Sequence, residues 1–130
     1  MNYIRAIVSQ RQTCDNLNIS SFIADEQVLN MISLELSNLE KGKEVILGVK
    51  PTNVALMKDF SGFISISNQL KVVITELIIG ELLCSVKFDF AGEVQESIIT
   101  KTSMEKMNLS VGDEIIALIK SSDISIQEVL

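Results

Sequence analysis

Histidine and tryptophan are absent from the 130 residues. Without histidine the chain lacks the commonest general base, the commonest zinc ligand, and the Ser-His and Cys-His nucleophile pairs. Aromatic residues are few, one Tyr and five Phe. Basic residues are outnumbered: Lys and Arg total 11 against 17 Asp and Glu, a formal net charge of −6. Nucleic-acid modules carry a basic face and stack bases on aromatic rings, so this balance argues against that class. Cys14 and Cys84 lie far apart and form no Cys-x-x-Cys. They read as reduced thiols of a cytosolic protein, not as metal ligands. The longest apolar stretch, residues 77–83, is broken by Gly80 and Glu81 and falls far short of the ~20 residues of a membrane helix. The N-terminal segment has no signal-peptide apolar run. The expectation is a cytoplasmic, soluble protein that is not an enzyme and engages neither membrane nor nucleic acid.

What is present is apolar and strand-like. Hydrophobic residues make up 47% and charged residues 22%, enough apolar surface to fold one domain of ordinary size or two very small ones. Residues 4–9 and 70–75 are short and β-branched. Residues 86–90 (Val-Lys-Phe-Asp-Phe) alternate apolar and polar with period two, the pattern of a half-buried strand. Residues 45–49 and 115–119 are continuous apolar runs, which suits strands buried on both faces. Two segments read as helical: residues 103–109, with Ser103 as N-cap and the turn Ser110-Val111-Gly112-Asp113 after it, and residues 36–42.

The two halves echo each other. Asn2 pairs with Asn68 at an offset of 66; Ile19, Ala24 and Ser33 pair with Val86, Ala91 and Thr100 at 67; Leu39, Gly42, Glu44 and Lys50 pair with Leu109, Gly112, Glu114 and Lys120 at 70. A period near 70 is too long for a solenoid and indicates two tandem units of about the smallest size that folds. They divide near residues 57–63, giving units 1–60 and 61–130. Five strands and one helical turn per unit predict an all-β protein of two tandem small OB-like β-barrels, whose closure protects the strand edges.

The second unit opens with Ser65-Ile66-Ser67-Asn68. It continues with Ile99-Thr100-Lys101-Thr102-Ser103 and Leu109-Ser110-Val111-Gly112-Asp113-Glu114, and closes with Ala117-Leu118-Ile119-Lys120-Ser121. Together these resemble the molybdate-binding Mop (or TOBE) domain family, which opens with Ser-Ala-Arg-Asn or Ser-Ile-Arg-Asn, carries Ile-Thr-x-x-Ser and Leu-x-x-Gly-Asp/Glu, and ends in Ile-Lys-Ala/Ser. Gly48-Val49-Lys50-Pro51-Thr52-Asn53-Val54 is similar to the corresponding stretch of transporter-ATPase accessory domains. The resemblance implies a di-Mop protein, and no P-loop Gly-x-x-x-x-Gly-Lys-Ser/Thr is present.

The resemblance further implies a ligand, molybdate or tungstate, and no catalytic cofactor. Molybdate is a tetrahedral dianion with acceptor oxygens only, so its site needs hydroxyls, N–H groups and a cation. Family residues of this kind fall on Ser65, Ser67, Thr100, Ser103, Lys120 and Ser121, with Ser33 and Lys50 as first-unit counterparts of Thr100 and Lys120. Ser67 stands where the family motif has Arg, no opening Ser-x-Arg stretch precedes Asn2 in the first unit, and Lys50 precedes Pro51, which has no N–H. The implied partners are a second and third copy of the chain (a trimer, alternatively a dimer) and molybdate transporter components. The implied role is storage, buffering or sensing of the oxyanion. The alternatives are a TOBE-like interaction module that has lost oxyanion binding, and an OB-type nucleic-acid binder, opposed by the few aromatics and the negative charge.

Overall fold

The computed structural model describes residues 1–34 and 39–130. The chain is mostly β, arranged as two five-stranded antiparallel, OB-like sheets. Its strands are β1 (Asn2–Cys14), β2 (Leu17–Ala24), β3 (Gln27–Ser33), β4 (Glu44–Val49), β5 (Ala55–Met57), β6 (Asn68–Ile79), β7 (Leu83–Phe90), β8 (Glu93–Thr100), β9 (Glu114–Ile119) and β10 (Ser125–Val129), with one helix, α1 (Lys101–Met107), between β8 and β9. Among the described residues no helix is long and apolar enough to cross a membrane.

The repeat is written into the backbone. β1 pairs with β4 from Asn2↔Val49 to Ile7↔Glu44, and β6 pairs with β9 from Asn68↔Ile119 to Val73↔Glu114. Each long strand then bulges, between Val8 and Gln10 in β1 and between Ile74 and Glu76 in β6, and passes to its next neighbour, β2 or β7. A bulge bends the strand and increases its twist, so one strand serves two sides of a curled sheet. This merges the expected short strands at 4–9 and 70–75 into longer ones.

Sheet membership crosses the chain's midpoint. The first sheet runs β10-β4-β1-β2-β3 and the second β5-β9-β6-β7-β8. Each half thus closes its sheet with a strand from the other: β5 pairs with β9, and β10 with β4. The buried side chains of both sheets, among them Phe22, Leu47, Leu70, Val86 and Phe90, form one contiguous core. Where the sheets meet, between Ile4, Leu70, Phe88 and Phe90, only about 10 Å³ is left empty, the close packing expected of an interior.

Two asparagines hold the halves in register. Asn68 Nδ2 donates to Asn30 O at 2.9 Å and its Oδ1 accepts from Asn30 N at 2.7 Å. Asn2 does the same for Glu96, at 2.8 and 2.7 Å. Each amide therefore takes the place of a neighbouring strand along the open edge of β3 or β8. Both asparagines are buried. The β2–β3 turn (Asp25 φ 50°, Glu26 φ 62°) and the β7–β8 turn (Ala91 φ 54°, Gly92 φ 77°) share a left-handed geometry, the type that suits tight hairpins. They touch through Ala91 N–H to Asp25 Oδ2 at 3.3 Å.

Three expectations change. The structural offset from β1 through β3 is 66, so Ser33, paired with Asn18, matches Ile99, paired with Cys84, and not Thr100. The helix spans Lys101–Met107 and its N-cap is Thr100, whose Oγ1 accepts from Ser103 N at 3.1 Å. Ser103 lies inside the first turn: both residues carry capping oxygens, and the extended backbone of Thr100 decides between them. Of the expected first-half helix, residues 36–38 lie outside the described residues, and residues 39–42 form an irregular stretch and a turn.

Replacing Asn68 or Asn2 with Ala strands a partly buried N–H and C=O of the facing strand. Each substitution is expected to cost about 1–3 kcal/mol or more in urea unfolding. A loss within error of zero for both would show that the halves are aligned by other contacts.

Candidate functional site

Lys120 and Lys50 occupy equivalent places. Each follows a buried strand in extended conformation (φ −65°, ψ 142° and φ −68°, ψ 136°) and introduces a 3-10 turn, Ser121–Asp123 or Pro51–Asn53. Each turn is closed from its third residue back to the lysine carbonyl, Asp123 N to Lys120 O and Asn53 N to Lys50 O, both 2.9 Å. Pro51 fits because the first position of such a turn needs no N–H.

The turns are delivered across the midpoint. Val54, after the first turn, is fixed to β8 by the buried Ser97 hydroxyl, which donates to Val54 O at 2.5 Å. A groove of about 320 Å³ results, lined by Thr52, Asn53 and Ala55 from the first half and by Ile99, Lys120 and Asp123 from the second. Ile66 also lines it; of the expected residues Lys120 alone is in the lining, while Ser65, Ser67 and Thr100 are chain neighbours of the lining residues Ile66 and Ile99. All three hydroxyl residues are exposed. Ser67 stands opposite Lys120, one step beyond the Asn68↔Ile119 pair, and its Oγ lies 2.7 Å from Ser121 Oγ. Thr100 Oγ1 is 3.0 Å from Ser103 Oγ. Among the described residues Lys120 has no ion-pair partner.

The equivalent groove of the first half, about 550 Å³, is lined by Ser33, Leu34, Ile124, Ser125, Ile126 and Val129 among others. It contains Ser33 but not Lys50, so the structure does not join these two expected residues; Lys50 and Lys120 are both exposed. A third groove, about 460 Å³, contains Asp59 and Glu114 beside Lys71. Two carboxylates make it a poor home for a dianion. The Lys120 groove is therefore the one whose chemistry suits an oxyanion: an unpaired ammonium, the Thr52 hydroxyl, the Asn53 amide and neighbouring serine and threonine hydroxyls. Among its described lining residues Asp123 is the opposing charge. Thr52 and Asn53 were missed because they belong to the other half. The signals were their repeat equivalence to Ser122 and Asp123 and their place in the stretch of residues 48–54 that resembles transporter-ATPase accessory domains.

Lys58, delivered by the same exchanged segment, braces the far end of α1. Its ammonium donates to Met107 O (3.2 Å) and Asn108 O (2.8 Å) and pairs with Asp113 at 3.0 Å. A cation suits the carbonyl end of a helix. The Lys58 hydrogen bond, helped by the Ser110 N–H, holds the Asp113 carboxyl below its ordinary value.

A family model of the TOBE domain matches residues 64–126. The molybdenum import ATP-binding proteins ModC of Brucella abortus and Brucella suis are each 34% identical over 92 residues, 68% of this chain and 26% of theirs. The chain thus spans about a quarter of the length of these curated relatives. A crystal structure of the cytoplasmic molybdate-binding protein ModG with molybdate bound superposes with a TM-score of 0.89 at 26% identity, covering 96% of this chain and 94% of that one.

Because the folded carboxyl of Asp113 is depressed, its stabilisation is present above the unfolded value of about 4 and is lost as pH falls through the folded value. The difference in thermal stability between wild type and Lys58→Met should therefore be largest at neutral pH and shrink below about pH 4. The part due to the helix carbonyls should persist. A gap that widened on acidification would contradict the ion pair.

Proposed function

Because this chain belongs to the TOBE domain family, we propose that it is a non-enzymatic molybdate-binding protein that stores, buffers or senses the oxyanion, tungstate being the close chemical substitute. The observation that carries this reading is the Lys120 groove, an ammonium without an ion-pair partner among donors on a fold that superposes on a molybdate-bound protein along nearly its whole length. In this reading Lys120 supplies the charge. Ser65, Ser67, Thr100, Ser103 and Ser121 supply hydroxyl donors at the rim, with Thr52 and Asn53 across from them. The anion enters and leaves by diffusion, held by reversible hydrogen bonds to its four oxygens. Units 1–60 and 61–130 cooperate, since the groove draws on both. Ser33 and Lys50, separated in the first half, make the weaker contribution.

We further infer a homo-oligomer, a trimer or alternatively a dimer, working in the cytoplasm alongside molybdate transport components. In support, Ile7, Ile23 and Val28 stand side by side across β1, β2 and β3 and are 50, 48 and 56% exposed. A row of this kind on a sheet face is typical of a surface covered by a partner.

Calorimetric titration with molybdate, and with sulfate as the control anion, tests the reading. Saturable molybdate binding at micromolar Kd or tighter is expected, with sulfate far weaker. Lys120→Met removes a charged hydrogen bond and should weaken binding roughly 10- to 100-fold. Binding undiminished in Lys120→Met would place the site elsewhere. No binding of either anion to the wild type would favour the interaction-module reading.

A further inference from the structure

The two halves differ most sharply on one face of the β1–β2–β3 ribbon. In β1 and β2, Arg11 pairs directly with Ser20 and Thr13 with Asn18, and β3 adds Ser33 beside Asn18. Residues paired across strands, and residues two apart along a strand, share a face. These five polar side chains therefore form one block. At the equivalent places the second half has Leu77 paired with Val86, Ile79 with Cys84, and Ile99 beside Cys84. The fold has an apolar solution here, and the first half does not use it.

Two polar groups of the block stand apart from the rest. Asn18 Oδ1 already accepts from Arg11 Nη2 at 3.2 Å and from Thr13 Oγ1 at 2.8 Å. Yet the Arg11 Nε–H and the Ser20 Oγ are both buried and have no hydrogen-bond partner among the described residues. Ser20 is 1% exposed. Among the described residues no carboxylate pairs with Arg11. A guanidinium with a buried, unpaired N–H beside an unpaired hydroxyl leaves two polar groups without compensation, which is costly unless an acceptor is supplied. The guanidinium fork fits the oxygens of a carboxylate or a tetrahedral oxyanion. Thr13, exposed, and Ser33, half-exposed, leave an open side to the block.

We propose that Arg11 and Ser20, framed by Thr13 and Asn18, form a second anion site that takes a small oxyanion or carboxylate and is independent of the Lys120 groove. The site belongs to the first half alone, because Leu77 and Val86 offer no donor. It does not depend on the molybdate reading of the Lys120 groove.

The test is NMR and calorimetric titration of the intact chain with inorganic phosphate, sulfate, molybdate and acetate. The expected result is a saturable shift of the Arg11 Nε–H resonance with at least one of these anions. The associated binding should weaken about tenfold or more in Arg11→Met and survive in Lys120→Met. A response to the tetrahedral ions alone assigns an inorganic oxyanion, and a response to acetate as well assigns a carboxylate. Arg11→Met should fold, since Leu77 holds the equivalent place. If it does not, Arg11→Lys keeps the charge, removes the Nε–H fork, and should still weaken binding severalfold. An Arg11 resonance that no anion moves would overturn the proposal. So would anion binding that both Arg11 variants retain and Lys120→Met abolishes.

Discussion

The molecule depends on two carboxamides reading two strand edges. Asn2 and Asn68 sit at the starts of β1 and β6, and each exchanges a pair of hydrogen bonds with one residue of the opposite half, Glu96 or Asn30. A side-chain amide carries the same donor and acceptor as a peptide group, so it extends the ladder beyond the fifth strand of each sheet. The consequences are structural at several levels. The open edges of β3 and β8 are each engaged without an added strand. The two bulged strands are each tied at their first residue to the opposite half. The hairpin turns at residues 25–26 and 91–92 are brought into contact. One core can then form between sheets that would each be too small to fold securely alone.

The Lys120 groove is a product of that arrangement. A lysine that follows a buried strand is ordinarily a solvated residue. Here the first half's 3-10 turn, fixed to β8 through Ser97 and Val54, supplies the facing wall, and the exchanged segment goes on to place Lys58 at the end of α1. Neither half contains the groove by itself. A negatively charged chain can present such a site because the nearest donors decide the local field, while distant carboxylates are screened over about 10 Å in ordinary salt.

Much of this was legible in the residues. Continuous apolar runs marked β4 and β9, and period-two alternation marked β7, because burial on two faces or one face leaves a direct trace in polarity. The repeat was legible because Asn68 echoes Asn2 and Lys120 echoes Lys50. The strand exchange was not. β5 is only Ala-Leu-Met, and β10, Ser-Ile-Gln-Glu-Val, is largely exposed, so neither has a pattern that names its partner. In the groove, Lys120 and the hydroxyl residues stood out as donors from motif and charge. Thr52 and Asn53 did not, because their position follows from which half receives the turn, a fact of topology with no local signature. The block around Arg11 was hidden differently: Gln10-Arg11-Gln12-Thr13 reads as an ordinary polar run at the end of a strand, and only comparison with the second half at the structural offset of 66 shows that five places are chemically reversed.

The strand exchange also sets the order in which the protein can be finished. β4 is complete by Val49, but the strand that covers its edge, β10, comes some 75 residues later. During synthesis the first sheet must wait with an exposed edge while the whole second half is made, whereas the second sheet has its exchanged strand in hand before its own strands emerge. The half that is translated first is therefore closed last. The interval between the two events is the period in which the nascent chain is most open to pairing with a neighbour on the same message.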